Sequence, residues 1–341
     1  MQIPFKAEFF DRDYNFMMFS VIPEPEIAID YFTLDKSSIS IPGLPTISRG
    51  WYCVISQSTT VIYQGTVASI TQDKSVTKVQ LLPLIAMFDI QVYRDRTTYK
   101  NTNLEQWIAE IIYETFVLSD DAVQNIPGMN LMIDSDGTNG VALNLVDNIN
   151  ELWTDIARKA IEGGKIAISC TMNPQQKQFN IIIKSFANTA EITLEADLPN
   201  VISSNFTLRD DWGSVNKCLI INKEKESEQA TFYADDYAAP TVRRIEMVQV
   251  GDDETFSEVA KNKASELLKK SDFDNLIELQ YRADDKIVPD MEIGQPCRII
   301  KNGVTYHSVL TGITQKAGQK TLVFGGIRID LTKILKLKGA L

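Results

Sequence analysis

The stretch that decides the fold is YHSVLTGITQK, residues 306–316. Nearly the same wording stands toward the other end of the chain, as YQGTVASITQD, residues 63–73. The tripeptide ITQ alone carries no weight in a chain this long. The rest of the match does. Tyr63 and Tyr306 each stand seven residues before the shared Ile, Ile70 or Ile313, and an apolar residue, Val67 or Leu310, stands four after each Tyr. Upstream, Gly50-Trp-Tyr-Cys53 is echoed by Gly294-Gln-Pro-Cys297, with one residue of slippage. Both copies are rich in Val, Ile, Thr and Tyr, which suit a pleated, half-buried surface. The chain therefore carries two similar β units, one toward each end.

Outward from the first copy, residues 1–98 read mainly as strands: IAIDYFTL (27–34), GWYCVIS (50–56), TVIYQGTVASITQ (60–72) and TKVQLLPLIAMFDI (77–90). Trp51, Cys53 and Ile55 alternate onto one side of a pleat. PEPE (23–26) and PGLP (42–45) punctuate turns. The texture changes near residue 99. Thr102-Asn-Leu-Glu105 is a capping box, in which a hydroxyl and a carboxylate satisfy the free N–H groups of a helix start. Leu104, Trp107, Ile108, Ile111, Ile112 and Phe116 follow at helical spacing. A second helix is predicted over 147–162, with Ile149, Leu152, Trp153 and Ile156 in its apolar stripe and Gly163-Gly164 at its end. KIAISCTMN (165–173) and KQFNIIIKSF (177–186) then read as a hairpin around Asn173-Pro174.

Strands resume at about 201. A helix over 255–270 opens with Thr255-Phe-Ser-Glu258, and Asn302-Gly303 marks a two-residue hairpin, because Asn-Gly tolerates positive φ. Residues 330–338 suit a short basic amphipathic helix. The expected architecture is β-rich α+β with several domains. Residues 1–98 form a first β-barrel module, completed by 201–216. Residues 99–200 form an α/β insert. Residues 217–341 form a second β-barrel module with the 255–270 helix and the short C-terminal helix.

A chain of 341 residues exceeds one ordinary core, so two to four domains are expected. The apolar share of 44% and charged share of 23% are those of globular proteins. No apolar run reaches the ~18 residues of a membrane-spanning helix, and the N-terminus lacks a signal-peptide pattern; synthesis and folding in cytoplasm follow. The balance of 34 basic and 45 acidic residues gives −11, which argues against sequence-specific nucleic-acid binding. It suits a surface past which nucleic acid slides, because like charges repel.

Catalytic signals are sparse. The single histidine, His307, removes most triads and His-metal clusters, and reads as an outward-facing strand residue like Gln64 in the echoed strand. DSDGTNG (134–140) fails as a calcium loop, because its sixth and twelfth positions are Asn139 and Leu145 where Gly and Glu are needed. Asp284, Asp285 and Asp290 could serve acid–base chemistry in a cleft but fall in a turn before a strand. No phosphate-cradling loop, nucleophile elbow or zinc-protease helix occurs. Cys53, Cys170, Cys218 and Cys297 are widely spaced, which suits buried reduced thiols. No catalytic, cofactor-binding or metal-binding residue is assigned, and no cofactor is expected.

The C-terminal pattern DNLIELQYRADDKIVPDMEIGQPCRIIKNGVTYHSVLTGITQKAGQKTLVFGGIR, with RGWYCVIS…VIYQGTVASITQD as its first-module counterpart, resembles the hub proteins of long-tailed phages and prophages. These are the tail-associated or prophage endopeptidase tail proteins, related to contractile-phage baseplate hubs and type VI secretion spikes. The resemblance implies a homotrimer whose six β modules imitate sixfold symmetry. It implies a position at the virion tail tip, against the distal tail ring and tail tube proteins and the tape-measure protein, where the trimer gates the DNA channel. Many members continue into a fibre or a cell-wall hydrolase, whereas this sequence stops soon after the second module, so a bare hub without lytic activity is expected. Two other readings compete: a hydrolase using Asp284, Asp285 or Asp290, and a carbohydrate-binding tail-tip module with Trp51, Tyr52 or Trp212 in an aromatic cleft.

Overall fold

A computed structural model describes residues 4–31, 34–93, 104–134, 149–151, 165–208, 215–234, 245–251, 256–268, 275–285, 287–288 and 290–326. The chain divides into two compact units, Met1–Asn205 with Ile277–Leu341, and Phe206–Leu276. The fold is β-rich α+β and its two main sheets are curled half-barrels.

The first sheet is built from the N-terminal quarter of the chain. It contains β1 (Phe5–Phe10), β2 (Phe16–Ile22), β4 (Ser37–Pro42), β5 (Tyr52–Gln57), β6 (Thr60–Asp73) and β7 (Val76–Pro83); β3 (Ile27–Asp30) leaves it. Its order is β2-β1-β5-β6-β7-β4, antiparallel throughout. Period-2 alternation sends Ala7, Phe9, Ile39, Ile41, Cys53, Ile55, Val79 and Leu81 into one core. Each of the larger ones is worth about 1.5–3 kcal/mol relative to exposure. β5 differs from the half-buried strand expected, because Tyr52 and Val54 on its other face are buried too. Tyr14 stacks on Tyr52 at 5.4 Å and Phe179 lies 6.4 Å from it, so the following domain covers that face.

That domain starts with β8 (Gln91–Tyr93) and α1 (Leu104–Phe116), and continues through β9 (Met129–Asp134), β10 (Ile149–Glu151), β11 (Ile166–Asn173) and β12 (Gln178–Ser185). α1 buries the predicted stripe from Leu104 to Phe116. β11 and β12 form the expected hairpin, and β9 joins β12 in parallel. The helix predicted from 147 does not begin there. Ile149–Glu151 instead pair with Gln91–Tyr93, so strand hydrogen bonds take the backbone groups that a first helical turn would use; residues 152–164 lie outside the described residues. The capping hydroxyls Thr102 and Thr255 and the C-terminal helix of 330–338 also lie outside them.

The second sheet contains β13 (Ile192–Glu195) and β14 (Val201–Thr207). Between β14 and the rest of this sheet, the chain makes β15 (Lys217–Asn222), β16 (Gln229–Tyr233), β17 (Ile245–Val250) and α2 (Phe256–Leu268). It then returns as β18 (Leu276–Arg282), β19 (Pro296–Lys301), β20 (Val304–Lys316) and β21 (Gln319–Gly325). The order is β13-β19-β20-β21-β18-β14, with β3 also paired to β20. Residues 201–207 thus complete the second sheet rather than the first. Side-chain bonds from Ser203 to Gln280 and from Asn205 to Glu278 run in antiparallel order along β14 and β18. β15–β17 and α2 form a separate three-stranded sheet with a helix, in which Phe256, Ala260 and Ala264 pack on Cys218 and Ile220.

The two echoed segments adopt the same backbone design. Gly50 and Gly294 both have positive φ, +79° and +86°. The Gly50 N–H donates to Val67 O at 2.9 Å, and the Gly294 N–H to Leu310 O at 2.7 Å. Val67 N–H returns a bond to Trp51 O at 2.8 Å, and Leu310 N–H to Gln295 O at 2.9 Å. A register shift follows each, between Val67 and Ser69 on β6 and between Leu310 and Gly312 on β20. Both strands therefore exchange one neighbour for another at the same place, and a bulge sets the bend. Cys53 and Cys297 are both fully buried beside these turns. The sequence match also extends upstream, with Pro45-x-Ile47-x-x-Gly50 against Pro289-x-Met291-x-x-Gly294.

Candidate functional site

The carboxylate turn does not gather a catalytic pair. Arg282 holds Asp284 at 3.1 Å on an exposed surface. Asp285 accepts from the Ile287 N–H at 2.7 Å and from Asn200 Nδ2 at 3.0 Å. The backbone N–H, with the Asn200 amide behind it, holds the Asp285 carboxyl below the ordinary Asp value. Asp290 stands exposed, in the field of Lys320. Each acid serves a different local partner.

His307 is exposed, with Nδ1 3.0 Å from Glu191 Oε1. Gln64, its counterpart, bonds both ways to the Met172 backbone, donating to the carbonyl at 2.8 Å and accepting from the N–H at 2.9 Å. Both are outward positions of echoed strands, used to hold neighbouring segments. Cys53, Cys218 and Cys297 are buried, and desolvation pushes their thiols up. Among the described residues no group of His, Cys, Asp and Glu is placed to hold a metal ion, and no helix is long and apolar enough to cross a membrane. Residues 135–140 of the rejected calcium loop, and Trp212, lie outside the described residues.

Trp51 and Tyr52 border an open cleft of about 560 Å³, whose walls include Arg12, Arg49, Phe116 and Ile126. The aromatic pair does not present a platform. Tyr52 is buried under Tyr14, whose hydroxyl donates to Pro127 O at 2.6 Å, and Trp51 packs against the core of the first sheet. Arg12 spends its guanidinium on the carbonyls of Ala122 and Asn125.

The most developed arrangement is the seam between the two half-barrels. β3 packs Ile27 into the first core and is tied back to β4. Glu26 and Ser38 exchange two backbone bonds at 2.9 and 2.8 Å, and Ser37 Oγ accepts from Ala28 N–H and donates to Ala28 O. Its hydrogen-bonding edge nevertheless joins the second sheet. Ile27, Ala28, Ile29 and Asp30 pair with Gln315, Thr314, Ile313 and Gly312, and Tyr31 N–H donates to Thr311 O at 2.9 Å. The ends are pinned by charge. Lys316 Nζ lies 3.0 Å from Glu26, which it holds below the usual Glu range, and both Glu24 oxygens accept from Gly318 N–H. A strand lent by one module thus fills an edge of the other. Nothing in the local pattern marks this exchange, because IAIDYFTL reads equally well as a strand kept in its own sheet.

No family model matches the sequence, and no curated protein matches it. Solved structures do match. A tail protein from Neisseria meningitidis MC58 has 10% identity and a TM-score of 0.58, covering 94% of this chain and 96% of that one. The 43 kDa tail protein of prophage MuSo2 from Shewanella oneidensis has 12% identity and a TM-score of 0.60, covering 95% and 98%. A chain of the phage P2 baseplate in its activated conformation with Ca has 13% identity and a TM-score of 0.54, covering 95% and 99%. The chain has the fold of phage and prophage tail proteins over nearly its whole length.

Proposed function

We propose that this tail-protein fold serves as a structural hub of a long-tailed phage or prophage. Three copies would bring six similar modules around one axis, so that a threefold assembly meets a sixfold tail tube, borders the distal tail ring and tape-measure protein, and gates the channel for DNA. The observation that carries the reading is the duplicated backbone design: matched glycine turns, matched bulges and a strand passed from one module to the other. Such repetition gives a threefold assembly six similar modules around its axis. The net charge of −11 per chain supports passage of DNA without capture.

The test is the mass of the purified protein by light scattering, with end-on views by electron microscopy. A trimer with six lobes is expected. A monomer at every concentration, or a closed dimer, overturns the reading. A zymogram on peptidoglycan is expected to stay blank; cleavage abolished by Asp284→Asn or Asp290→Asn would restore the hydrolase reading.

A further inference from the structure

We propose that the edge of β6 at Ile70–Gln72 is a strand-docking site for a second copy of this chain. The proposal rests on the hub reading and names one contact that holds it together.

Ile70-Thr71-Gln72 and Ile313-Thr314-Gln315 are identical tripeptides at the same distance beyond equivalent bulges. In the second module that tripeptide is the docking edge: Ile313, Thr314 and Gln315 pair with Ile29, Ala28 and Ile27 of β3. In the first module, β6 pairs with β7 along one side from Ser69 to Asp73, and its partnership with β5 ends at Thr66. On the other side of Ser69–Gln72, no strand pairs among the described residues. Only the Gln72 side chain reaches across, donating to Pro45 O at 3.1 Å. Thr71 and Gln72 are exposed.

The direction of the free groups follows from register. Tyr31 N–H donates to Thr311 O, so alternation aims the N–H groups of Ile313 and Gln315 at β3. Ile70 and Gln72 hold the same places on β6, and their N–H groups face the unfilled side. An unpaired strand edge is a template for another strand. In this chain the matching edge is filled by the other module. Among the described residues no module fills the first module's edge; a second copy carries the same modules, and the supplier is a module of that second copy. The match also differs in charge: Asp73 stands where Lys316 stands, and Lys316 pairs with Glu26 of the incoming strand. The strand docking on β6 therefore carries a basic residue opposite Asp73. Because the two surfaces in contact differ, the contact is heterologous, the type that generates a ring where its rotation closes.

The experiment compares Gln72→Pro with Gln72→Ala and Gln315→Pro, reading assembly by light scattering and backbone protection by hydrogen exchange. Proline deletes the outward N–H and leaves β7 pairing untouched. Gln72→Pro is expected to melt like the wild-type subunit and to associate at least about tenfold more weakly. Gln72→Ala keeps the N–H and assembles normally. Gln315→Pro breaks the internal β3 contact and lowers the melting temperature. In the wild-type oligomer, peptides covering 69–73 exchange at least about tenfold more slowly than in the diluted monomer. If Gln72→Pro fails to fold, that exchange comparison decides alone. A wild-type trimer with unprotected 69–73 overturns the docking edge and leaves the hub reading standing. A wild-type protein that never associates overturns both.

Discussion

Gly294 and Gly50 hold equivalent turns with φ of +86° and +79°, yet their surroundings differ. A Cβ built on Gly294 meets the Ala167 Cβ far inside contact distance, whereas one on Gly50 meets nothing within 4 Å. Gly50→Val therefore carries only the left-handed backbone strain of a β-branched residue, about 1–2 kcal/mol, and Gly294→Val adds overpacking of about 1–3 kcal/mol. Urea unfolding of both variants should show the larger loss at Gly294; equal losses would refute the packing account. The His307 side chain is exposed and meets Glu191 across a surface, so His307→Ala should change stability by less than about 0.5 kcal/mol, read by the same titration. Asp285 behaves differently with pH. Its ionised form is the one bound by the Ile287 N–H, so its folded pKa lies below the ordinary 3.8. Its contribution is complete above that ordinary value and fades as pH falls through the lower folded value. The stability gap between wild type and Asp285→Ala should be constant from pH 5 to 7 by choice of buffer range, and should close below about pH 4. A gap that widens on acidification would show that the carboxyl is held protonated.

At the scale of elements, most of the strand and turn plan was legible. Asn302 and Gly303 sit at φ of +50° and +76°, as an Asn-Gly hairpin requires, and the stretches expected as α1 and α2 are helices. The echo of Tyr, Val or Leu and Ile-Thr-Gln was legible because side-chain period and bulge position are local properties. Long-range decisions were not. Ile27-Ala-Ile-Asp has the same local pattern whether its edge stays at home or joins β20, and Tyr52 gave no sign that Tyr14 and Phe179 would cover it. Ser37 shows what fixes β3 in place. It is fully buried and bonds both the N–H and the carbonyl of Ala28. Ser37→Ala leaves both groups without that partner at a buried seam, and should cost about 1–3 kcal/mol. Faster hydrogen exchange at Ala28 than in the wild type is the accompanying signature; unchanged exchange there would mean that the backbone bonds of β3 to β20 suffice.

At the scale of the whole molecule, the chain leaves the second sheet at β14 and re-enters it at β18, the adjacent strand. Everything between, Phe206–Leu276, is a compact unit with its own three-stranded sheet and helix. That topology is an insertion into a hairpin connection. Residues 217–341 read as one module by pattern because strands resume on both sides of α2, and composition alone does not separate two sheets of like texture. The physical test is removal. β14 and β18 run antiparallel by their paired side chains, so a short Gly-containing turn can join them as an ordinary hairpin. Replacing residues 209–274 by such a turn should leave a protein that unfolds in one cooperative transition, with the buried Cys297 still unreactive toward thiol reagents. Domain insertions at such sites are tolerated because few backbone bonds cross the boundary. A shortened chain that loses the cooperative transition and exposes Cys297 would mean that 206–276 belongs to the fold of the second half-barrel after all.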